Sequence, residues 1–148
     1  MTSKPGEIRS FPVRGRSDAI VAGSQSRRFA ARAGMSSRRA SELAIVVSEL
    51  ATNIVKHGVR GEITLTFDPA VPPGGEILIT ARDVGPPIHD LELAMTDGFD
   101  DRGPIDPAHV LRRGGLGTGL GAIARLADRL NVQAEEGGKI ITAHFLVR

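Results

Sequence analysis

Ser48-Glu49-Leu50-Ala51-Thr52-Asn53-Ile54-Val55-Lys56-His57 is the stretch on which the reading of the fold turns. Leu50, Ala51, Ile54 and Val55 continue the spacing of Ala40, Leu43, Ala44 and Val47, which predicts one amphipathic helix from Ser36 or Ser37 to His57-Gly58. Glu49, Asn53 and His57 stand four apart, and residues four apart share a helix face. A carboxylate, a carboxamide and a base on successive turns suit chemistry, where the plain alternative is a solvated polar stripe. Asn53 offers a neutral oxygen suited to Mg²⁺, a cation that takes few protein ligands and keeps waters and phosphate oxygens. Glu49, one turn earlier, has the chemistry of a base.

Two glycine-centred segments follow. Asp83-Val84-Gly85-Pro86-Pro87-Ile88 comes directly after the apolar run Ile77-Leu78-Ile79-Thr80-Ala81, so Asp83 is expected at a strand end, where a carboxylate can accept a hydrogen bond from an exocyclic amine. Gly114-Gly115-Leu116-Gly117-Thr118-Gly119-Leu120-Gly121 then opens an expected helix, Leu116 to Leu130, whose first backbone N–H groups favour an anion such as phosphate. Such a loop is weak evidence alone. A dinucleotide fold would place it after the first strand of a βαβ unit, whereas here it comes late.

The order of the three segments is the specific signal. Glu49-x-x-x-Asn53-x-x-Lys56-His57, Asp83-x-Gly85 and Gly115-Leu116-Gly117-Thr118-Gly119-Leu120 resemble the N, G1 and G2 boxes of the GHKL ATPase superfamily. Leu91 to Phe99 and Arg125-Leu126-Ala127-Asp128 extend the likeness to the RsbT-type switch kinases, over roughly residues 16 to 148. The resemblance implies a Bergerat fold and ATP with Mg²⁺ as cofactors. It implies Glu49 as the catalytic base or hydroxyl-orienting group, Asn53 on the metal and Asp83 on the adenine amine. Gly85, Gly115, Gly117, Thr118 and Gly119 would bind nucleotide, and Lys56 would lie near phosphate. The implied activity is protein serine/threonine phosphorylation in a partner-switching cascade, on a STAS-domain anti-sigma-factor antagonist or stressosome protein. Further implied partners are a PP2C-type phosphatase or a sigma factor, and homodimerisation stays open. The alternatives are an anti-sigma factor that holds a sigma factor directly, and a nucleotide-dependent regulator without phosphate transfer. Pro87 stands where the family has a second G1 glycine, and the lid, about residues 98–114, is long for the RsbT type.

Composition narrows the field further. A chain of 148 residues suits one domain with a real core: a segment and edge strand over 1–15, then a single ATP-binding kinase domain over 16–148. The absence of Cys excludes disulfides, thiolate-held metals and nucleophilic cysteine chemistry. The four His residues do not cluster, so a zinc site is not expected. With no run of roughly 20 apolar residues and no signal-like core at the start, the expectation is a cytoplasmic protein without membrane association. Net charge is +2, yet Arg9, Arg14, Arg16, Arg27, Arg28, Arg32, Arg38 and Arg39 all precede the Asn53 turn, a distribution that favours an acidic partner. Nucleic acid is the competing partner, but with no Trp or Tyr and five Phe there is little for base stacking.

The remaining pattern gives the architecture. Glu7 to Arg14 reads as an edge strand; Ser17-Asp18 starts a helix with Ile20, Val21, Phe29 and Ala33 as its apolar stripe, up to Gly34. Glu62 to Phe67 and Glu76 to Arg82 form a hairpin, Asp90 to Thr96 a short helix, and Asp97 to Gly115 a loop. Asn131 to Glu135 and Lys139 to Val147 form a last hairpin. The sum is α+β, a two-layer sandwich with helices on one face of a mainly antiparallel sheet.

Overall fold

A computed structural model describes residues 7–57, 60–84, 99–100, 103–104, 120–135 and 138–148. Alternation of apolar and polar residues makes strands of β1 (Ile8–Val13), β2 (Arg60–Asp68), β3 (Glu76–Val84), β6 (Arg129–Glu135) and β7 (Gly138–Leu146). They form one antiparallel sheet in the order β1-β2-β3-β7-β6. One face carries Phe11, Val13, Ile63, Leu65, Phe67, Ile77, Ile79, Ile141, Ala143 and Phe145, all buried. The other carries half-buried Thr64, Thr66, Thr80 and Thr142, a pattern expected of an antiparallel sheet with one face on the core. β1 lies at the sheet edge, where Pro12 costs no ladder bond on its open side.

The helices α1 (Arg16–Arg32), α2 (Ser37–His57) and α3 (Leu120–Leu126) share the apolar face. This is the two-layer α+β sandwich that the periodicity predicts. α2 begins where expected, the Ser36 hydroxyl accepting the Arg39 N–H at 3.2 Å as an N-cap. Its buried stripe is Ala40, Leu43, Val46, Val47, Leu50, Ala51 and Ile54; Val55, expected inside, is 38 % exposed, and Val46 takes the inward place.

Three expectations need correction. The stripe assigned to α1 is right in Phe29 and Ala33, which are buried, and wrong in Ile20 and Val21, which are 68 % and 54 % exposed, their inward places being taken by Ala19, Ala22, Gly23, Ser26 and Ala30. Small residues face inward because α1 lies tight on α2: a Cβ at Gly23 would come within 2.6 Å of the Ser48 hydroxyl. Next, α3 stops at Leu126 and Arg129-Leu130 already belong to β6. Asp128 marks the change, accepting the Leu146 N–H at 2.8 Å and so bringing the chain onto the β7 ladder. Last, the expected loop contains a two-residue ladder, β4 (Phe99–Asp100) with β5 (Gly103–Pro104). The helix expected over 90–96, Pro87 and most of the lid lie outside the described residues.

Arg39 ties the start of α2 to the far ends of the sheet elements. Its guanidinium donates to the Leu126 carbonyl at 2.8 Å and to Asp128 at 2.9 Å, approaches Glu42 at 3.5 Å, and lies 4.7 Å from the Phe145 ring centroid. Asp128 also accepts from Arg148 at 2.9 Å. The Arg125-to-Asp128 segment is thus the hub of a structural clamp.

Candidate nucleotide site

The site grows from the C-terminal half of α2 and the strand ends beneath it. Glu49 and Asn53, both half-buried, lie one turn apart there, and Lys56 follows at an exposed position. Ile54, the neighbour of Asn53, presses on Gly61 at the start of β2: a Cβ on Gly61 would fall 2.8 Å from Ile54 Cγ2 and 2.6 Å from the Arg82 carbonyl oxygen. A residue without a side chain is therefore what lets the Asn53 turn settle on the sheet. Gly61 pairs directly across from Asp83, which is next to last in β3. The helix face and the carboxylate strand end are in this way brought to one place.

Asp83 is 6 % exposed. Its partner is one that sequence reading missed. Lys139 stands directly opposite on β7, and its ammonium lies 2.8 Å from Asp83 Oδ2, both side chains being buried. Asp83 Oδ1, also buried, has no hydrogen-bond partner among the described residues. Removing one member of a buried ion pair typically costs about 3–5 kcal/mol, because the other charge is left without compensation. A buried carboxylate oxygen without a donor is a rarity in folded proteins and is the kind of acceptor that an amino group on a ligand would satisfy. Lys139 becomes legible only once β7 is known to lie beside β3.

A concavity of about 480 Å³ opens at this end of the sheet, lined by Pro12, Arg14, Arg60, Gly61, Glu62, Arg82, Asp83 and Val84. A slightly larger one, about 510 Å³, lies around Arg39 and Asp128, at the other end of α2. The second is where the structural clamp sits; the first is walled by Pro12, Glu62 and Arg82, which alternate to the sheet face away from the helices, whereas Asp83 Oδ1 is buried on the helix side of the same strand end. Of the arginines expected to form a basic face, all but the clamping Arg39 are exposed.

Gly85, Gly115, Gly117, Thr118 and Gly119 lie outside the described residues, as does the side chain of His57. α3 begins at Leu120, directly after the glycine segment, and packs against α2. Among the described residues, no group of three or more His, Cys, Asp or Glu could hold a metal ion, and no helix is long and apolar enough to cross a membrane. A single Asn oxygen with phosphate oxygens and water is compatible with Mg²⁺, which needs no protein cage.

Comparison with known proteins bears on this arrangement. A family described as histidine kinase-like ATPase domain matches residues 18–145. The serine/threonine-protein kinase RsbT of Bacillus subtilis is 32% identical over 133 residues, covering 87% of this chain and 90% of that protein. Among solved structures, the RsbU and RsbW domains of Rv1364c from Mycobacterium tuberculosis share the fold at a TM-score of 0.61 and 17% identity, over 97% of this chain and 33% of that one. The chain matched in the SiaB-SiaC complex from Pseudomonas aeruginosa does so at 0.55 and 14%, over 95% and 89%. Sequence and fold point the same way, and the chain belongs to the histidine kinase-like ATPase domain family, in its RsbT-type GHKL branch.

Proposed function

We propose that the chain is an ATP-dependent protein serine/threonine kinase of a partner-switching cascade, its substrate a STAS-domain anti-sigma-factor antagonist or stressosome protein in the cytoplasm. The observation that carries the reading is the buried, unpartnered Oδ1 of Asp83 beneath the α2 turn that bears Glu49 and Asn53. Kinship with a serine/threonine kinase supports the activity, and a fold relative solved as a complex supports a protein partner.

In this reading Asp83 selects adenine by accepting from its amino group. Asn53 would hold Mg²⁺, and the ion would supply positive charge for phosphoryl transfer. Gly115, Gly117 and Gly119 allow close approach of backbone N–H groups to phosphate, Thr118 adds a hydroxyl donor, Gly85 leaves room beside the base, and Lys56 adds positive charge. The partner's hydroxyl oxygen forms a bond to the γ-phosphorus as the bond to the bridging oxygen breaks and ADP leaves. Glu49 takes the hydroxyl proton or orients it. Most of the rate then comes from positioning and charge. The exposed arginines of α1 and the α2 start supply the face for an acidic partner, whether substrate, PP2C-type phosphatase or sigma factor.

The test has two stages. Calorimetry should show magnesium-dependent binding of ATP in preference to GTP, and γ-labelled ATP should then label a STAS protein recovered from the native cytosol. No binding at millimolar nucleotide by folded protein would refute the reading; binding without transfer to any recovered STAS protein would make the chain a nucleotide-dependent regulator.

A further inference from the structure

We propose that Lys139 sets base specificity, as a positioning residue that occupies one oxygen of Asp83 and leaves the other as a single, fixed acceptor for the base. The inference rests on the nucleotide reading above and goes beyond it to a residue on another strand. Its basis is the geometry of the buried pair: Lys139 and Asp83 oppose each other in the β3–β7 register, Nζ lies 2.8 Å from Oδ2, and their side chains are 6% and 4% exposed. Oδ1, equally buried, has no partner among the described residues.

A carboxylate on a strand ordinarily rotates and presents two equivalent oxygens, with about four lone-pair sites. With Oδ2 held, rotation is blocked and Oδ1 keeps one direction. Such an acceptor suits one N–H donor, the 6-amino group of adenine, and opposes the 6-oxo group of hypoxanthine or guanine, which brings a lone pair to the same point. The second oxygen is closed by a cation, so no water competes there. Lys139 therefore contributes to base choice without touching the base.

The experiment measures dissociation constants of ATP and ITP, which differ at position 6 of the base, for the full chain and its variants. The wild type should favour ATP by about tenfold or more, the worth of one charge-assisted hydrogen bond. Lys139→Met should bring the ratio to within about threefold, chiefly by weakening ATP, because the released carboxylate rotates away from its fixed direction. Lys139→Gln, which keeps one N–H donor for Oδ2, serves if the Met variant fails to fold, and its ratio should be intermediate. In an Asp83→Asn background the ratio should already be lost and Lys139→Met should change it no further. An unchanged ratio in folded Lys139 variants, with both nucleotides weakened equally, would overturn the proposal in favour of a purely structural pair. A gain in ATP affinity would overturn it too, since Lys139 would then be blocking the carboxylate. If instead Asp83→Asn keeps the wild-type ratio, the adenine reading of Asp83 fails, independently of what the Lys139 variants do.

Discussion

Replacing Gly61 by alanine should damage stability and the site together. The new Cβ would lie 2.6 Å from the Arg82 carbonyl oxygen, 2.8 Å from Ile54 Cγ2 and 3.0 Å from Ile54 Cδ1. Carbon atoms pack at about 3.5–4.0 Å, so Ile54 must retreat by roughly 0.7 Å or more. Neither neighbour yields easily: Ile54 is 2 % exposed in the α2–sheet interface, and Arg82 is paired with Glu62 in the ladder. Overpacking of this kind costs about 1–3 kcal/mol. Removing a strand glycine returns about 0.5–1 kcal/mol, which leaves a net loss of about 1–2 kcal/mol. With a mid-range urea slope of about 2 kcal/mol per molar, the unfolding midpoint should fall by roughly 0.5–1 M. Because Ile54 adjoins Asn53, displacement of the turn should also slow phosphoryl transfer, by up to about 10²-fold for an ångström-scale shift. Gly15→Ala is the control, since a Cβ there meets nothing within 4 Å, and its stability should stay within about 0.5 kcal/mol of wild type. A Gly61→Ala protein that unfolds at the wild-type urea concentration and transfers phosphate normally would refute the account of how α2 seats on the sheet.

Five further variants probe separate parts of the molecule. Glu49→Ala should keep ATP affinity in calorimetry while single-turnover transfer falls about 10²–10⁴-fold if Glu49 is the base, and less if it only orients the hydroxyl. Asn53→Ala should lose the magnesium dependence of nucleotide binding, read as equal ATP affinity with and without chelator. Arg39→Ala should lower stability by about 2–3 kcal/mol in urea titrations, after discounting for its partly exposed partners, and leave ATP affinity unchanged because the clamp sits at the other end of α2. Ile20→Ser should change stability by less than about 0.5 kcal/mol, whereas Phe29→Ala, on the buried face of the same helix, should cost about 3–5 kcal/mol in the same assay.

The elements most legible in sequence were those with long, uninterrupted periodicity. The span of α2, both hairpins and the edge position of β1 follow from alternation and spacing, and the α+β layering follows from them. The α1 face is legible in its C-terminal half, at Phe29 and Ala33, but not at its start, where hydrophobicity points to Ile20 and Val21 whereas what buries a helix against a close neighbour is small size, at Ala19, Ala22, Gly23 and Ser26. The end of α3 was misjudged because Leu126 and Leu130 fit a helical period; what ends the helix is a tertiary bond from Asp128 to Leu146, which no local pattern encodes. In the site, Glu49 and Asn53 were visible because one helix presents them. Lys139 was not, since its meaning depends on pairing between strands far apart in sequence.

The place of β7 in the sheet has a consequence for biosynthesis. It lies between β3 and β6, so a growing polypeptide that has not yet released β7 from the ribosome has a sheet of three strands, an unpartnered β6, and Asp83 without its cation. On the proposed reading of Asp83, nascent chains acquire the mature base acceptor only when that strand emerges, and those that stall before it offer the open edge of β3 to chaperones or to one another.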